Sequence, residues 1–398
     1  MLAFKDDLLD AQLVRAVGAA AYGGSDLGEC LAAAREVDES DLDSWYVAWH
    51  GLATRVHELA RSEDAAGRRV SARAAYLRAC TYHRTAGVML VGVPVDRRLV
   101  DSNAEQTQAF RSAAALMDGP VEVVAIPYGQ TTLPGYFFSV DDSGIPRATV
   151  VLTGGYDGTC EELYFFNGAA ALARGYNVLA FDGPGQGAAL LQQGLTLRPD
   201  WEAVVTPVMD FLAARSDVDS ERIALIGLSL GAHLAPRAAA YEPRIAALIA
   251  DCGAFDLRAG FLARMPARLA VGYLANRRTV RLALSAVLKR MAKKPTAGWA
   301  LRRGQLVHGV ASPLAYLDSL APYSLADHAS RIGCPSWICN AEDDDIGASA
   351  PELVAALTSP HEFVQFRTAE GAGDHCEQAA RSLYHARSFG WLDQQLEP

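Results

Sequence analysis

The chain has 398 residues, of which 51% are hydrophobic, and its formal net charge is -10. This length allows a large core with one or two accessory domains, and the acidic balance argues against nucleic-acid binding, which depends on neutralising phosphates. No apolar stretch is long enough to span a bilayer, and the first residues are acidic where a signal peptide is basic, so we expect a cytoplasmic protein without stable membrane insertion.

Seven cysteines are spread along the chain without a C-x-x-C pair. An odd number of scattered cysteines favours neither a disulfide framework nor a zinc site, and buried free thiols are the ordinary outcome. We therefore expect no bound metal and no cofactor.

The first part of the chain, residues 1–118, is predicted to be an N-terminal helical domain, because apolar residues recur there at helical spacing with few turn residues between them. From residue 119 the pattern changes to short apolar runs typical of strands. We predict a core in two parts, 119–252 and 334–398, separated by a helical cap inserted at 253–333.

Within the core, strand-like runs alternate with helical segments around 161–174 and 202–215, and a last helix starts at about 377. Such alternation predicts the α/β class with a mostly parallel sheet that is covered by helices on both faces.

One strand-to-helix junction carries the sequence Gly-Leu-Ser-Leu-Gly at 227–231. A serine between two glycines at this position is typical of a nucleophile elbow, a sharp turn that exposes the hydroxyl, and it makes Ser229 the candidate nucleophile. The alternative is an ordinary glycine-rich turn with a solvated serine. A nucleophilic serine also needs a histidine base and an acid, in later loops of this fold.

His375 follows the last predicted strand in a glycine-containing loop and is the candidate base. His361 begins that strand, His385 lies in the last helix, and His233 is too close to Ser229 along the chain. The acid is expected after the strand SWICNAE, where three carboxylates stand in a row: Asp343, Asp344 and Asp345. The residues alone do not choose among them.

A serine nucleophile also needs donors for the oxyanion that forms on the substrate. The first candidate is the backbone N-H of Leu230, directly after the nucleophile, and the second is that of Tyr156, in the glycine-containing turn LTGGYDGTCEE. The alternative for this second segment is a plain glycine turn at the start of a helix.

Four segments together resemble one group of α/β-hydrolases: TGGYDGTCEELYF, FDGPGQG, GLSLG and GDHC. This group contains 2,6-dihydropseudooxynicotine hydrolase, fungal naphthopyrone-pigment chain-shortening hydrolases and FrsA-like esterases. The resemblance implies the α/β-hydrolase fold and a triad of Ser229, Asp344 and His375. It also implies an acidic residue near the substrate at Asp157, which could protonate a leaving group or brace the turn.

Members of the group cleave carbon-carbon bonds next to ketones as well as esters. We therefore predict a serine hydrolase acting on a small molecule. Cleavage of a C-C bond is slightly favoured over cleavage of an ester or thioester. A related alternative is that an internal nucleophile captures the acyl-enzyme. A homodimer is kept as an option. The alternative of another class is a non-catalytic binding or regulatory protein, which would not need all three triad residues.

The predicted cap has an unusual charge distribution, with twelve Lys and Arg and no Asp or Glu at 257–303. One explanation is a solvated face, or a face packed on the acidic N-terminal stretch between Glu36 and Asp43. The other is attraction of an anionic or carrier-linked substrate, and attachment to a membrane surface is a third, less favoured choice.

Overall fold

A computed structural model describes residues 2–397, and its strands form a single eight-stranded sheet in the order β1-β2-β4-β3-β5-β6-β7-β8. β1 and β2 pair antiparallel with each other, and β2 pairs antiparallel with β4, whereas the other neighbours are parallel. The strands are β1 Val121–Tyr128, β2 Thr131–Phe138, β3 Arg147–Thr153, β4 Asn177–Phe181, β5 Val218–Leu228, β6 Ala247–Asp251, β7 Ser336–Ala341 and β8 His361–Phe366. The predicted α/β class with a mostly parallel sheet is confirmed.

The central strands are buried on both faces, as parallel strands covered by helices are. Alternate side chains of β3 enter different hydrophobic clusters: Val150 and Leu152 join the cluster that contains the N-terminal helices, and Val151 joins the cluster beneath the opposite helices. The sheet thus separates two cores, and its carboxyl edge is left for loops.

Five helices precede the sheet and contribute buried residues to the hydrophobic cluster that contains Val150 and Leu152. They are α1 Asp7–Gly18, α2 Leu27–Ala34, α3 Leu42–Ala65, α4 Arg69–Gly87 and α5 Arg97–Ala114. The ring of Phe110 lies edge-on to Tyr136 of β2 with 4.8 Å between centroids, so α5 joins the N-terminal helices to the sheet.

The connections between strands supply α6 Cys160–Leu163, α7 Ala169–Leu172, α8 Gly187–Leu191, α9 Glu202–Ala213 and α10 Gly231–Ala239, and the chain ends with α16 Ala350–Ala356 and α17 Arg381–Leu396. A π turn over Tyr164–Gly168 divides the predicted helix at 161–174 into α6 and α7. The last helix begins at Arg381 rather than at about 377, because Cys376 and Glu377 have φ of 57° and 44°, which a helix does not allow.

Between β6 and β7 the chain forms α11 Leu257–Ala263, α12 Ala267–Leu274, α13 Arg278–Ala292, α14 Trp299–Val307 and α15 Pro313–Ser319. These helices have their own apolar cluster, which includes Leu284, Leu288 and Leu317. The Trp299 indole N-H donates to the Val88 carbonyl at 2.8 Å, so this insertion, named the cap below, also contacts the N-terminal helices.

Candidate active site

Ser229 lies at the turn between β5 and α10 and has φ of 59°, in the left-handed region that non-glycine residues rarely adopt. The flanking glycines leave no room for side chains: a Cβ on Gly227 would lie 2.1 Å from the Gly231 carbonyl oxygen, and one on Gly231 would lie 2.3 Å from the Thr153 carbonyl oxygen. The chain therefore presents the serine hydroxyl at the carboxyl edge of the sheet on a tightly packed turn.

His375 lies between Ser229 and Asp344 and contacts both. Its Nε2 is 2.8 Å from the Ser229 Oγ, and its Nδ1 is 2.8 Å from the Asp344 Oδ2. Because a carboxylate only accepts hydrogen bonds, Nδ1 carries the proton and Nε2 is left to accept from the serine hydroxyl. Burial lowers the pKa of His375, but the hydrogen bond and charge of Asp344 outweigh it, so that the pKa is raised above its usual value.

Of the three consecutive aspartates, the structure brings Asp344 to the histidine. Asp344 is buried, and its carboxylate also accepts from the backbone N-H groups of Ile346 and Gly347 at 2.8 and 3.0 Å. Asp343 is exposed and accepts from the Thr368 hydroxyl, while the carbonyl of Asp345 accepts from Arg264. Two backbone donors fix the Asp344 carboxylate in an orientation that suits the imidazole.

The other histidines considered above bond elsewhere. The Nδ1 of His233 is 2.9 Å from the Ala254 carbonyl oxygen, and burial lowers the pKa of this ring to about 4. His361 bonds to the Ser359 carbonyl, and His385 bonds to the Phe166 carbonyl and to the Tyr22 hydroxyl.

The two backbone amides considered for the oxyanion belong to segments that touch each other. A Cβ built on Gly155 would lie 3.1 Å from the Ser229 Cβ, so the turn before Tyr156 packs directly on the elbow. Within residues 2–397, neither the Tyr156 N-H nor the Leu230 N-H donates a hydrogen bond. Both amides are therefore donors without a partner in this part of the chain, which the predicted oxyanion role requires.

Asp157, the next residue of that turn, lies among three arginines from distant parts of the chain. Its Oδ2 is 2.8 Å from both Arg15 of α1 and Arg84 of α4, and its Oδ1 is 3.2 Å from Arg303 of α14. Burial raises the pKa of Asp157, but the three guanidinium groups together hold it well below its usual range. Asp157 is therefore an ionised carboxylate that joins the N-terminal helices, the turn and the cap.

Arg15 and Arg84 also contact Glu162 of α6. The Glu162 Oε1 is 2.7 Å from the Arg15 Nε and 3.4 Å from the Arg84 Nε. We name the group of Arg15, Arg84, Asp157, Glu162 and Arg303 the arginine-carboxylate cluster. Its five members are mostly buried, and three positive charges face two negative ones.

The side chain of Tyr156 points into the cap. Its hydroxyl is 3.0 Å from the His308 Nε2, and the Tyr316 hydroxyl donates to it at 3.3 Å. The Arg303 guanidinium lies over its ring at 4.7 Å from the centroid. Three cap residues thus fix the ring of Tyr156, and the residue before it, Gly155, packs on Ser229.

A second buried polar group lies behind His375, where ligand atoms of Asp251, Cys252, Cys339 and Glu377 are all within 4.8 Å of one another. Such a set could ligate a cation in principle. Arg381, however, provides a positive charge at this position, with its Nη1 2.9 Å from the Asp251 Oδ2 and 3.8 Å from the Glu377 Oε2. We interpret the set as a buried support for the histidine loop in which Arg381 provides the counter-charge to the carboxyl groups.

The cap cations are distributed unevenly. Arg277 and Arg278 are exposed, Arg281 pairs with Asp318 of the cap itself, and Arg303 is mostly buried. The acidic N-terminal stretch pairs elsewhere, for example through Asp43 with Arg98 at 3.0 Å. Within residues 2–397 no salt bridge joins that stretch to the cap.

Sequence reasoning did not find the arginines of the cluster. One signal was present in the sequence. Arg84 stands three residues after Thr81, seven after Leu77 and four before Val88. All four residues are buried on one face of α4 and its extension. A charged residue inside a buried helical face indicates a buried partner. No local pattern identifies that partner as Asp157, because the contact spans 73 residues.

Residues 150–382 match the Alpha/beta hydrolase family, and the chain belongs to this family of hydrolases. It is 36% identical to the 20-hydroxy-prefusarin hydrolase FUS2 of Gibberella moniliformis, over 98% of this chain and 97% of that protein. It is 35% identical to the hydrolase LUC6 of a Fusarium species, also over 98% of this chain and 97% of that protein.

Among solved structures, the fold is similar to that of 2,6-dihydroxy-pseudo-oxynicotine hydrolase, with a TM-score of 0.76 and 23% identity over 96% of this chain and 95% of that one. The resemblance inferred from the four sequence segments is confirmed. In residues 2–397 no helix has both the length and the apolar character needed to cross a membrane.

Proposed function

We propose that the protein is a serine hydrolase that cleaves an acyl-type bond in a small natural product through Ser229, His375 and Asp344. The observation that carries this proposal is the unbroken hydrogen-bond chain from Asp344 through His375 to Ser229, with 2.8 Å at each step. A binding protein has no need of this arrangement, whereas a nucleophilic serine does.

In the proposed reaction, the Ser229 Oγ bonds to the substrate carbonyl carbon while His375 takes the hydroxyl proton. The oxyanion accepts hydrogen bonds from the Leu230 and Tyr156 N-H groups, which have no other partner within the described residues. The bond to the leaving group then breaks, and His375 gives the proton to the departing atom. Water attacks the acyl-enzyme by the same route and restores the serine.

For the bond that breaks, we propose a carbon-carbon bond next to a ketone, with an ester or thioester as the second candidate. Expulsion of carbon requires a proton donor, and an ionised Asp157 has no proton to give. The C-C reaction therefore depends on protonated His375 as the donor. The ionised state of Asp157 is the observation that supports ester or thioester cleavage as the second candidate, because an activated oxygen or sulfur leaving group needs less help from an acid.

The names of similar proteins support a natural-product substrate, since one relative is named for hydrolysis of 20-hydroxy-prefusarin. We propose the same broad class of substrate here, a small secondary metabolite with a reactive carbonyl group.

Labelling with a fluorophosphonate followed by intact-mass measurement tests the proposal. We expect a single adduct on the wild-type protein and none on Ser229→Ala, with both proteins equally folded by circular dichroism. Absence of an adduct on folded wild-type protein would support the non-catalytic alternative. Product analysis on a matched ketone and ester pair then identifies the bond that is cleaved.

A further inference from the structure

A partly open cavity lies between the N-terminal helices, the core and the cap, and its empty space of about 570 Å³ includes open solvent at the mouth. Helices α4 and α5 form one side, and the turn containing Tyr156 and Asp157, the loop at Gly185 and helix α14 form the other. Most of its wall is apolar, with Val88, Val91, Leu99, Leu306 and Val307 among the lining residues.

The cavity adjoins the proposed reaction site through a single turn of the chain. Gly155 packs on Ser229, and the three following residues, Tyr156, Asp157 and Gly158, line the cavity. One turn of the chain, from Gly155 to Gly158, thus connects the surroundings of Ser229 to the wall of the cavity.

Arg303 lines the cavity and has hydrogen-bond donors without a partner in the part of the chain that the structure describes. Its guanidinium is held between the rings of Tyr156 and Trp299, at 4.7 and 4.4 Å from their centroids, and its Nη1 donates to Asp157. The Nε is buried and has no partner within residues 2–397, and no hydrogen bond from Nη2 is formed there either. Nε-H and Nη2-H lie along one edge and match the two oxygens of a carboxylate.

A second polar atom of the cavity wall is also without a partner. Ser102 of α5 is 2% exposed, and its hydroxyl forms no hydrogen bond within the described residues. Buried hydroxyl groups are normally satisfied, so an unpartnered one in a cavity wall points to a ligand that completes its bonding.

The charges of the wall favour an anion. Two guanidinium groups, Arg84 and Arg303, and one carboxylate, Asp157, line the cavity. Glu161 is bound by Thr107 and Tyr136 at 2.8 and 3.1 Å and does not line it. One negative charge from a ligand would balance the wall.

We propose that this cavity binds a carboxylate of the substrate, held by Arg303 and Ser102, while the apolar body of the substrate packs on α4, α5 and α14. The proposal rests on the function proposed for Ser229 and narrows its substrate to an acyl compound that carries a remote carboxylate. The binding group is the mostly buried Arg303 and not the exposed cations of the cap surface.

The proposal is tested with two series of substrates. The first series contains 4-nitrophenyl half-esters of linear dicarboxylic acids, from succinate to sebacate. The second contains the same compounds with the free acid capped as a methyl ester, and the hydrolysis rates of the two series are compared. At one chain length we expect wild-type kcat/KM to be at least about tenfold higher for the free acid, as a hydrogen-bonded charge pair provides. Arg303→Gln should lose this preference, Ser102→Ala should reduce it, and Arg303→Lys should keep only part. Arg55→Gln, an exposed arginine of α3, serves as the matched control.

The outcomes separate the two proposals. If the wild type cleaves capped esters but shows no preference for the acid at any length, or if Arg303→Gln keeps the preference, the carboxylate site is wrong while the hydrolase function stands. If neither series is cleaved and Ser229 is not labelled, the proposed function is wrong. Calorimetry of monomethyl dicarboxylates with Ser229→Ala then tests the site without turnover, and equal weak binding by Ser229→Ala and Ser229→Ala/Arg303→Gln would overturn it.

Discussion

The Asp344 carboxylate and the His375 imidazole meet at 2.8 Å, and the carboxylate is aligned by two backbone N-H groups of its own loop. This relationship singles out one aspartate from three. We expect Asp344→Asn to lower kcat on the order of 10⁴-fold, because an amide no longer stabilises the imidazolium or fixes the tautomer. Steady-state kinetics with an activated ester measures the effect.

Asp343→Asn and Asp345→Asn are the matched controls for this substitution, since both residues are exposed and neither contacts His375. We expect changes of no more than a few-fold in these variants. A larger loss in either of them than in Asp344→Asn would mean that the acid is misassigned by one position.

The pH dependence of kcat/KM should report the environment of His375. In the proposed reaction its neutral form is the base, and its pKa is raised because Asp344 outweighs the effect of burial. Activity should therefore rise with pH through a value above the ordinary histidine pKa of about 6.5. In Asp344→Asn the effect of burial, which lowers the pKa of His375, remains without the opposing effect of the carboxylate. The residual activity should therefore rise with pH at a lower pH than in the wild type. An unchanged pH for this rise would contradict the explanation.

Asp157→Asn should affect stability and turnover together. Removing the charge leaves Arg15, Arg84 and Arg303 mostly buried with fewer counter-charges, at a cost of about 3 to 5 kcal/mol. Because Asp157 supports the turn and carries no proton, ketone and ester substrates should lose activity by equal factors. The denaturation midpoint in urea and kinetics on both substrates measure these effects.

Asp101→Asn is a suitable comparison for that experiment, because it removes the carboxylate from an exposed ion pair between Asp101 and Arg97 on α5. We expect no measurable change in its denaturation midpoint. A much larger loss on the ketone than on the ester in Asp157→Asn would instead restore the proton-donor role for this residue.

The exposed cap cations should act through long-range attraction. Neutralising Arg277, Arg278 and Arg281 together should lower kcat/KM for anionic substrates at low ionic strength, by up to about tenfold, and the loss should shrink as salt is added. Neutral substrates should be unaffected. If the kinetics do not change at low salt but the protein loses stability, the Arg281 pair with Asp318 and the packing of α13 explain the charges.

In contrast to the surface cations, the effect of Arg303 should persist at high salt, since buried charge pairs are screened much less than exposed ones. Comparing the salt dependence of the two sets of variants distinguishes steering of the substrate from direct binding.

Much of the proposed reaction centre could be predicted from local sequence, because each member lies at a strand end. Ser229 is marked by its flanking glycines, and His375 and the aspartates follow the last two strands. The choice of Asp344 depends on the loop that turns back through Ile346 and Gly347, and three adjacent carboxylates carry no local sign of that turn.

The role of Asp157 could not be read from the sequence for a related reason. Its three partners lie in α1, α4 and α14, and only the folded arrangement of the helices brings them together. An acidic residue in a glycine turn has the same local pattern whether it donates a proton or balances arginines, and the surrounding charges decide between these roles.

The arginine-carboxylate cluster has a consequence for how this chain can be recombined with its relatives. An exchange of the N-terminal helices would remove Arg15 and Arg84, and an exchange of the cap would remove Arg303, in each case leaving Asp157 or Glu162 behind in the core. A chimera without the N-terminal helices would therefore inherit excess negative charge at the turn that packs on Ser229, and one without the cap would lose the contact of Arg303 with Asp157, unless the donor segment restores these groups. Substrate specificity in this architecture is expected to be transferable only when helices and turn are moved as a matched set.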